Sequence, residues 1–112
     1  MKEVKFFNKD DLKVKKMLNS SELRAVANEH VMITLFDFGP DDKVMPNHHH
    51  SHEQISYILK GSVKMLAGGK SRILKTGEIA VIPSNVEHEV TALEEDTRIL
   101  DVFYPLREDY LS

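Results

Sequence analysis

Turn-forming residues interrupt this chain at Gly39-Pro40-Asp41-Asp42, Lys60-Gly61, Gly68-Gly69, Thr76-Gly77, Ser84-Asn85 and Glu94-Glu95-Asp96. Most of these intervals have the length of short strands joined by tight connections, the cadence of an all-β fold. The stretches between them, residues 31–36, 55–59, 63–66, 79–82 and 97–103, are rich in β-branched and aromatic side chains. Lys64, Arg72 and Lys75 alternate with apolar neighbours, as on a sheet with one face in water. A sheet of many short strands must close on itself or pair with a second sheet to protect its edges, so the expected architecture is a small jelly-roll barrel. With 112 residues the chain should form one domain, 1–112, with the core of the barrel over about residues 30–106. Residues 10–17 are expected to form one or two helical turns, and the stretches 4–7 and 22–28 to form N-terminal strands that could lie on the sheet of a partner.

A barrel this small is filled by side chains or holds one small ligand at its mouth. Residues 48–54 read His-His-His-Ser-His-Glu-Gln, and His88 follows in Pro83-Ser84-Asn85-Val86-Glu87-His88. In an extended strand alternate side chains share a face, so His48, His50, His52 and Gln54 would converge while His49 and Glu53 point away. Imidazole nitrogens suit a divalent ion of the Zn, Ni, Fe or Mn type, and residue type alone does not choose among them. His52 could be a ligand or line the pocket, and Gln54 could be a ligand or only hydrogen-bond within the barrel. His30, isolated ahead of a strand, is expected to be structural or solvated. The bland alternative is an exposed polar strand that binds metal only by accident.

The spacing resembles that of the cupin superfamily. Its first motif, HxH followed by three or four residues and a carboxylate, is matched by His48-x-His50-x3-Gln54-x6-Gly61, and its second by Gly77-x5-Pro83-x-Asn85-x2-His88. The resemblance runs from about Gly39 to the C-terminus and implies a double-stranded β-helix, the cupin jelly roll. Three positions depart from the pattern: Asp42 stands where an opening glycine is expected, Asn85 replaces a glycine, and Ala92 often has Asn in its place. Asn tolerates left-handed backbone better than most residues, so the second change is mild. Gln54 stands where the usual ligand is Glu, and a neutral amide there would leave a bound ion its full positive charge, a better Lewis acid and docking point for an anion.

The ending Leu100-Asp101-Val102-Phe103-Tyr104-Pro105-Leu106-Arg107-Glu108-Asp109-Tyr110-Leu111, taken with His-x-His-x-His-Glu-Gln, is similar to that of the KdgF-like pectin-degradation cupins. That resemblance implies a metal set of His48, His50, Gln54 and His88, with Asp101, Phe103 and Arg107 as catalytic residues. It also implies conversion of 4,5-unsaturated monouronates to linear keto acids, and a homodimer. In that reading Arg107 grips a substrate carboxylate, Asp101 moves protons and Phe103 packs on the ring. The structural alternative is an Asp101–Arg107 ion pair that closes the barrel, with Phe103 as core. At the level of function, a metal-dependent dioxygenase and a non-catalytic sugar- or metabolite-binding module are the other candidates.

Lys and Arg number 15 against 18 Asp and Glu, a net charge of -3, which argues against a nucleic-acid or acidic-membrane partner, while the small anionic substrate is what the resemblance implies. Cysteine is absent, so a metal must be held by nitrogen and oxygen. Neither a secretory leader nor a membrane-length apolar run is apparent, which makes the cytoplasm the expected location.

Overall fold

The computed structural model describes residues 3–111. Among the described residues ten strands form two antiparallel sheets: β1 (Lys15–Met17), β2 (Ser21–Ala27), β3 (Met32–Asp37), β4 (Val44–His48), β5 (Glu53–Lys60), β6 (Ser62–Ala67), β7 (Lys70–Lys75), β8 (Ile79–Ile82), β9 (His88–Ala92) and β10 (Arg98–Tyr104). The order is β1-β2-β3-β10-β5-β8 in the larger sheet and β4-β9-β6-β7 in the smaller. This is the expected all-β jelly roll. Among the described residues no helix is long and apolar enough to cross a membrane.

Period-two alternation decides what the larger sheet presents to the interior. Along β5, Gln54, Ser56 and Ile58 are buried while Ile55, Tyr57 and Leu59 face out. Strand register then stacks three inward rows across β3, β10 and β5. The rows are Phe36–Ile99–Ile58 at the closed end, Thr34–Asp101–Ser56 in the middle and Met32–Phe103–Gln54 at the mouth. Phe36, Ile58 and Ile99 join Val63, Met65 and Val90 of the smaller sheet in the apolar core. Each such side chain, removed from water, contributes about 1.5–3 kcal/mol. Of these three rows the first is wholly apolar, and the polar side chains Thr34, Asp101, Ser56 and Gln54 fall in the other two.

Where residues 10–17 were expected to be helical, a single 3-10 turn spans Lys9–Asp11, with the Asn8 side chain accepting from the Asp10 amide. The chain then enters β1, because pairing with β2 satisfies its backbone and outweighs the helix propensity of its lysines. Residues 4–7 are not a strand, and Val4 and Phe6 are exposed at 80% and 88%. The stretch 22–28 matches β2, which pairs with β3 of its own chain.

Asp42, the departure at the opening of the first motif, has a structural role. Its carboxylate accepts hydrogen bonds from the amides of Asn19 and Ser20 and from the Asn19 and Ser21 side chains. Burial pushes its pKa up, but these bonds more than offset that and hold the carboxyl well below the usual range. Gly39 makes the docking possible, since a Cβ there would sit 2.0 Å from the Ser20 carbonyl oxygen.

Candidate functional site

Residues 48–54 are not one strand. β4 ends at His48 in the smaller sheet, residues 49–52 turn a corner, and β5 starts at Glu53 in the larger sheet. His48 and Gln54 therefore come from opposite sheets, and His50 projects from the corner between them. His88 opens β9 directly across from His48. Asn85, with φ of 63° in the left-handed region, turns the chain just before it and donates its amide to the His50 carbonyl at 2.7 Å. The second motif thus ties down the corner that carries the first.

Three of the histidines gather. The ring centroids of His88 lie 4.1 Å from His48 and 5.1 Å from His50, and one ring nitrogen from each of the three lies within 4.8 Å of the others. Each Nδ1 is engaged by a backbone carbonyl two residues away: His48 with Pro46 at 2.7 Å, His50 with His52 at 3.0 Å and His88 with Val86 at 2.9 Å. A carbonyl can only accept, so the proton of each neutral ring is on Nδ1 and the lone pair on Nε2. Burial lowers the pKa of His50, helped by the Arg107 charge, and lowers that of His88 to about 4, so these two rings are neutral at neutral pH.

The consequence is a set of acceptors with no donor between them. His88 Nε2 is buried and has no partner. His50 Nε2 faces Gln54 Oε1 at 3.0 Å, and that amide is oriented by its own nitrogen, which donates to Ser56 and to Asp101 at 3.2 Å. Two acceptors face each other at hydrogen-bond distance, and a cation reconciles them. A metal fits this donor set: three imidazole nitrogens and one amide oxygen, each imidazole fixed by a second hydrogen bond to the backbone.

The remaining histidines are elsewhere. His49 and Glu53 are exposed, as strand parity implied, and so is His30. His52, whose role was open, stands outside the cluster: its Nε2 donates to the Leu106 carbonyl at 3.1 Å. It joins the histidine corner to the C-terminal segment.

Asp101 lies beneath Gln54 and accepts from Ser56 and Gln54. Burial raises its pKa to about 6, against the lowering influence of those bonds and of Arg107. The Asp101–Arg107 ion pair of the structural alternative does not form. β10 ends at Tyr104 and the chain does not stay extended past Pro105. It folds back so that Arg107 pairs with Asp109 instead, Nη2 to Oδ2 at 2.9 Å. The guanidinium lies 5.3 Å from the centre of the Phe103 ring and 3.9 Å from that of Tyr110.

His48, Gln54, His88, Asp101, Phe103, Arg107 and Tyr110 line one cavity. Ser56 was missed from the sequence, although its parity with Gln54 pointed to it. Thr34 shares its row and carries a buried hydroxyl without a partner. Tyr110 stood in the terminal motif without a role.

Comparison with known proteins agrees with this architecture. Residues 34–103 match the family model described as the cupin domain. The chain is 34% identical over 84 residues to the pectin degradation protein KdgF of Dickeya dadantii (strain 3937), covering 75% of this chain and 76% of that protein. The structure of KdgF from a Halomonas species superposes with a TM-score of 0.87 at 28% identity, covering 96% and 98% of the two chains. An RmlC-like cupin from Shewanella frigidimarina NCIMB 400 shares the fold, with a TM-score of 0.86 at 22% identity over 96% of each chain.

Proposed function

The chain belongs to the cupin domain family and to its KdgF-like members, and from that premise we propose that it is a divalent-metal-dependent enzyme converting 4,5-unsaturated monouronates to linear keto acids. One observation carries the reading: a donor-free set of metal-type acceptors adjoins a carboxyl near neutral pKa and an arginine, with His48, His88, Gln54, Asp101 and Arg107 lining one cavity. His48, His50, His88 and Gln54 would hold the ion. When bound it supplies Lewis acidity, polarising a substrate oxygen.

The chain's own groups account for the rest. Ring opening of a 4,5-unsaturated uronate is an isomerisation. The O1–H and ring C1–O bonds break, C1 becomes the aldehyde, the ring oxygen becomes the C5 ketone, and a proton arrives at C4. No oxidant or co-substrate is needed, only a group that takes a proton and gives one. The Asp101 carboxyl, poised near pH 6 and held in place by Ser56 and Gln54, is suited to that work. Arg107 orients the substrate carboxylate, and Phe103 offers a flat apolar surface to the ring. Dry walls of Phe36, Ile99 and Val90 keep bulk water from the reacting carbons.

Incubating metal-loaded protein with unsaturated galacturonate tests the reading. The vinylic H4 resonance should disappear and signals of a linear keto acid replace it. Consumption of dissolved oxygen instead would identify a dioxygenase, and bound but unchanged sugar a binding module.

A further inference from the structure

Arg107 is held more completely than a flexible surface arginine, and most of what holds it comes from residues that have no assigned role. Its backbone amide donates to Met32 Sδ at 3.0 Å, and the preceding carbonyl accepts from His52. The edge of the guanidinium formed by Nε and Nη2 is taken by the two oxygens of Asp109, at 3.4 and 2.9 Å. One face rests on Tyr110, 3.9 Å from the ring centre, and Tyr110 is itself packed against the core. Asp109 and Tyr110 belong to the 3-10 turn Glu108–Tyr110, whose Asp109 carbonyl is bonded by Lys15 of β1. Only 13% of the Arg107 side chain remains exposed.

We propose that Asp109 and Tyr110 are positioning residues that present the free edge of Arg107 to the substrate carboxylate, so that the C-terminal turn sets the preference for a carboxylated sugar. The inference rests on the reading of Arg107 as the carboxylate grip. Guanidinium has two edges able to bind a carboxylate with two parallel bonds. Asp109 occupies one and leaves the other, with Nη1, for the substrate. Tyr110 fixes the plane in which that edge lies, and stacking on an aromatic face costs the guanidinium none of its donors. Without them a long side chain must be ordered each time substrate binds, which weakens binding and leaves the chemical step alone.

The test compares unsaturated galacturonate with its methyl ester, which has the same ring and no carboxylate charge. In Asp109→Ala and Tyr110→Leu the KM for the acid should rise about ten-fold or more, the scale of a charge-assisted hydrogen bond, while kcat stays near wild type. The KM for the ester should not change, and Tyr110→Phe, which keeps the ring, should restore wild-type KM for the acid. Asp109 is largely exposed, so its variant folds even if Tyr110→Leu does not. Equal losses for acid and ester, or an Asp109→Ala variant with unchanged or lower KM for the acid, overturn the proposal. Arg107→Ala separates the two layers. If it raises KM for the acid and the turn variants do not, only the positioning role falls. If it leaves KM unchanged, the grip and the positioning role fall together.

Discussion

At Asp101 the reading of the site can be separated from a purely structural one. Had Asp101 been the partner of Arg107, removing its charge would have stranded a buried cation, at a cost of about 3–5 kcal/mol. The structure gives Arg107 to Asp109, and an asparagine at 101 could still accept from Ser56 and Gln54. Asp101→Asn should therefore lower turnover by about a hundred- to ten-thousand-fold while thermal midpoint and metal content barely move. A variant with a clearly lower midpoint and normal turnover per folded molecule would remove Asp101 from the mechanism. The histidines were legible from spacing and parity, and Asp101 from the family resemblance of the C-terminal motif. The partner of Arg107 was not, because it depends on a reversal after Pro105 that no local pattern announces.

Elements rather than single residues decide how the site is assembled. Strand parity correctly set Gln54 apart from Glu53, yet residues 48–54 read as one strand when they form a corner between two sheets. Alternation cannot reveal that a chain has changed sheets, because the polar run looks the same in either case. β4 and β7 were likewise hard to bound, since the mostly exposed stretch Lys70–Lys75 has only Ile73 and Leu74 as apolar side chains. The docking of the 39–42 turn on residues 19–21 depends on Asp42 being ionised. Its folded pKa lies below its unfolded value, so its contribution to stability is full above about 3.9 and is lost as pH falls from there towards the folded value. The gap in thermal midpoint between wild type and Asp42→Asn should be widest near neutral pH and close as pH falls below about 4. A gap unchanged down to about pH 3 would assign the effect to shape alone.

On the scale of the whole molecule, the outer face of the larger sheet is apolar and exposed. Register places Ile33, Ile55, Val81 and Ile79 around Val102 and Tyr57 as one apolar surface, with Val81 exposed at 72%. Ile55 and Ile79 are exposed at 46% and 55% on this same face, and a contiguous exposed apolar patch marks an interaction surface. Two copies packed face to face here would bury it. Light scattering should give a dimer that Val81→Lys converts to monomer, and a wild-type monomer at micromolar concentration would leave the face for another partner. If the acceptor cluster and the acid beside it act together on an unsaturated uronate, the reaction must depend on the bound ion. The vinylic H4 resonance followed with metal-replete and chelated protein at equal folded concentration should vanish with the replete protein and decay no faster than in buffer with the chelated one. Equal rates in the two samples would show that the cluster takes no part.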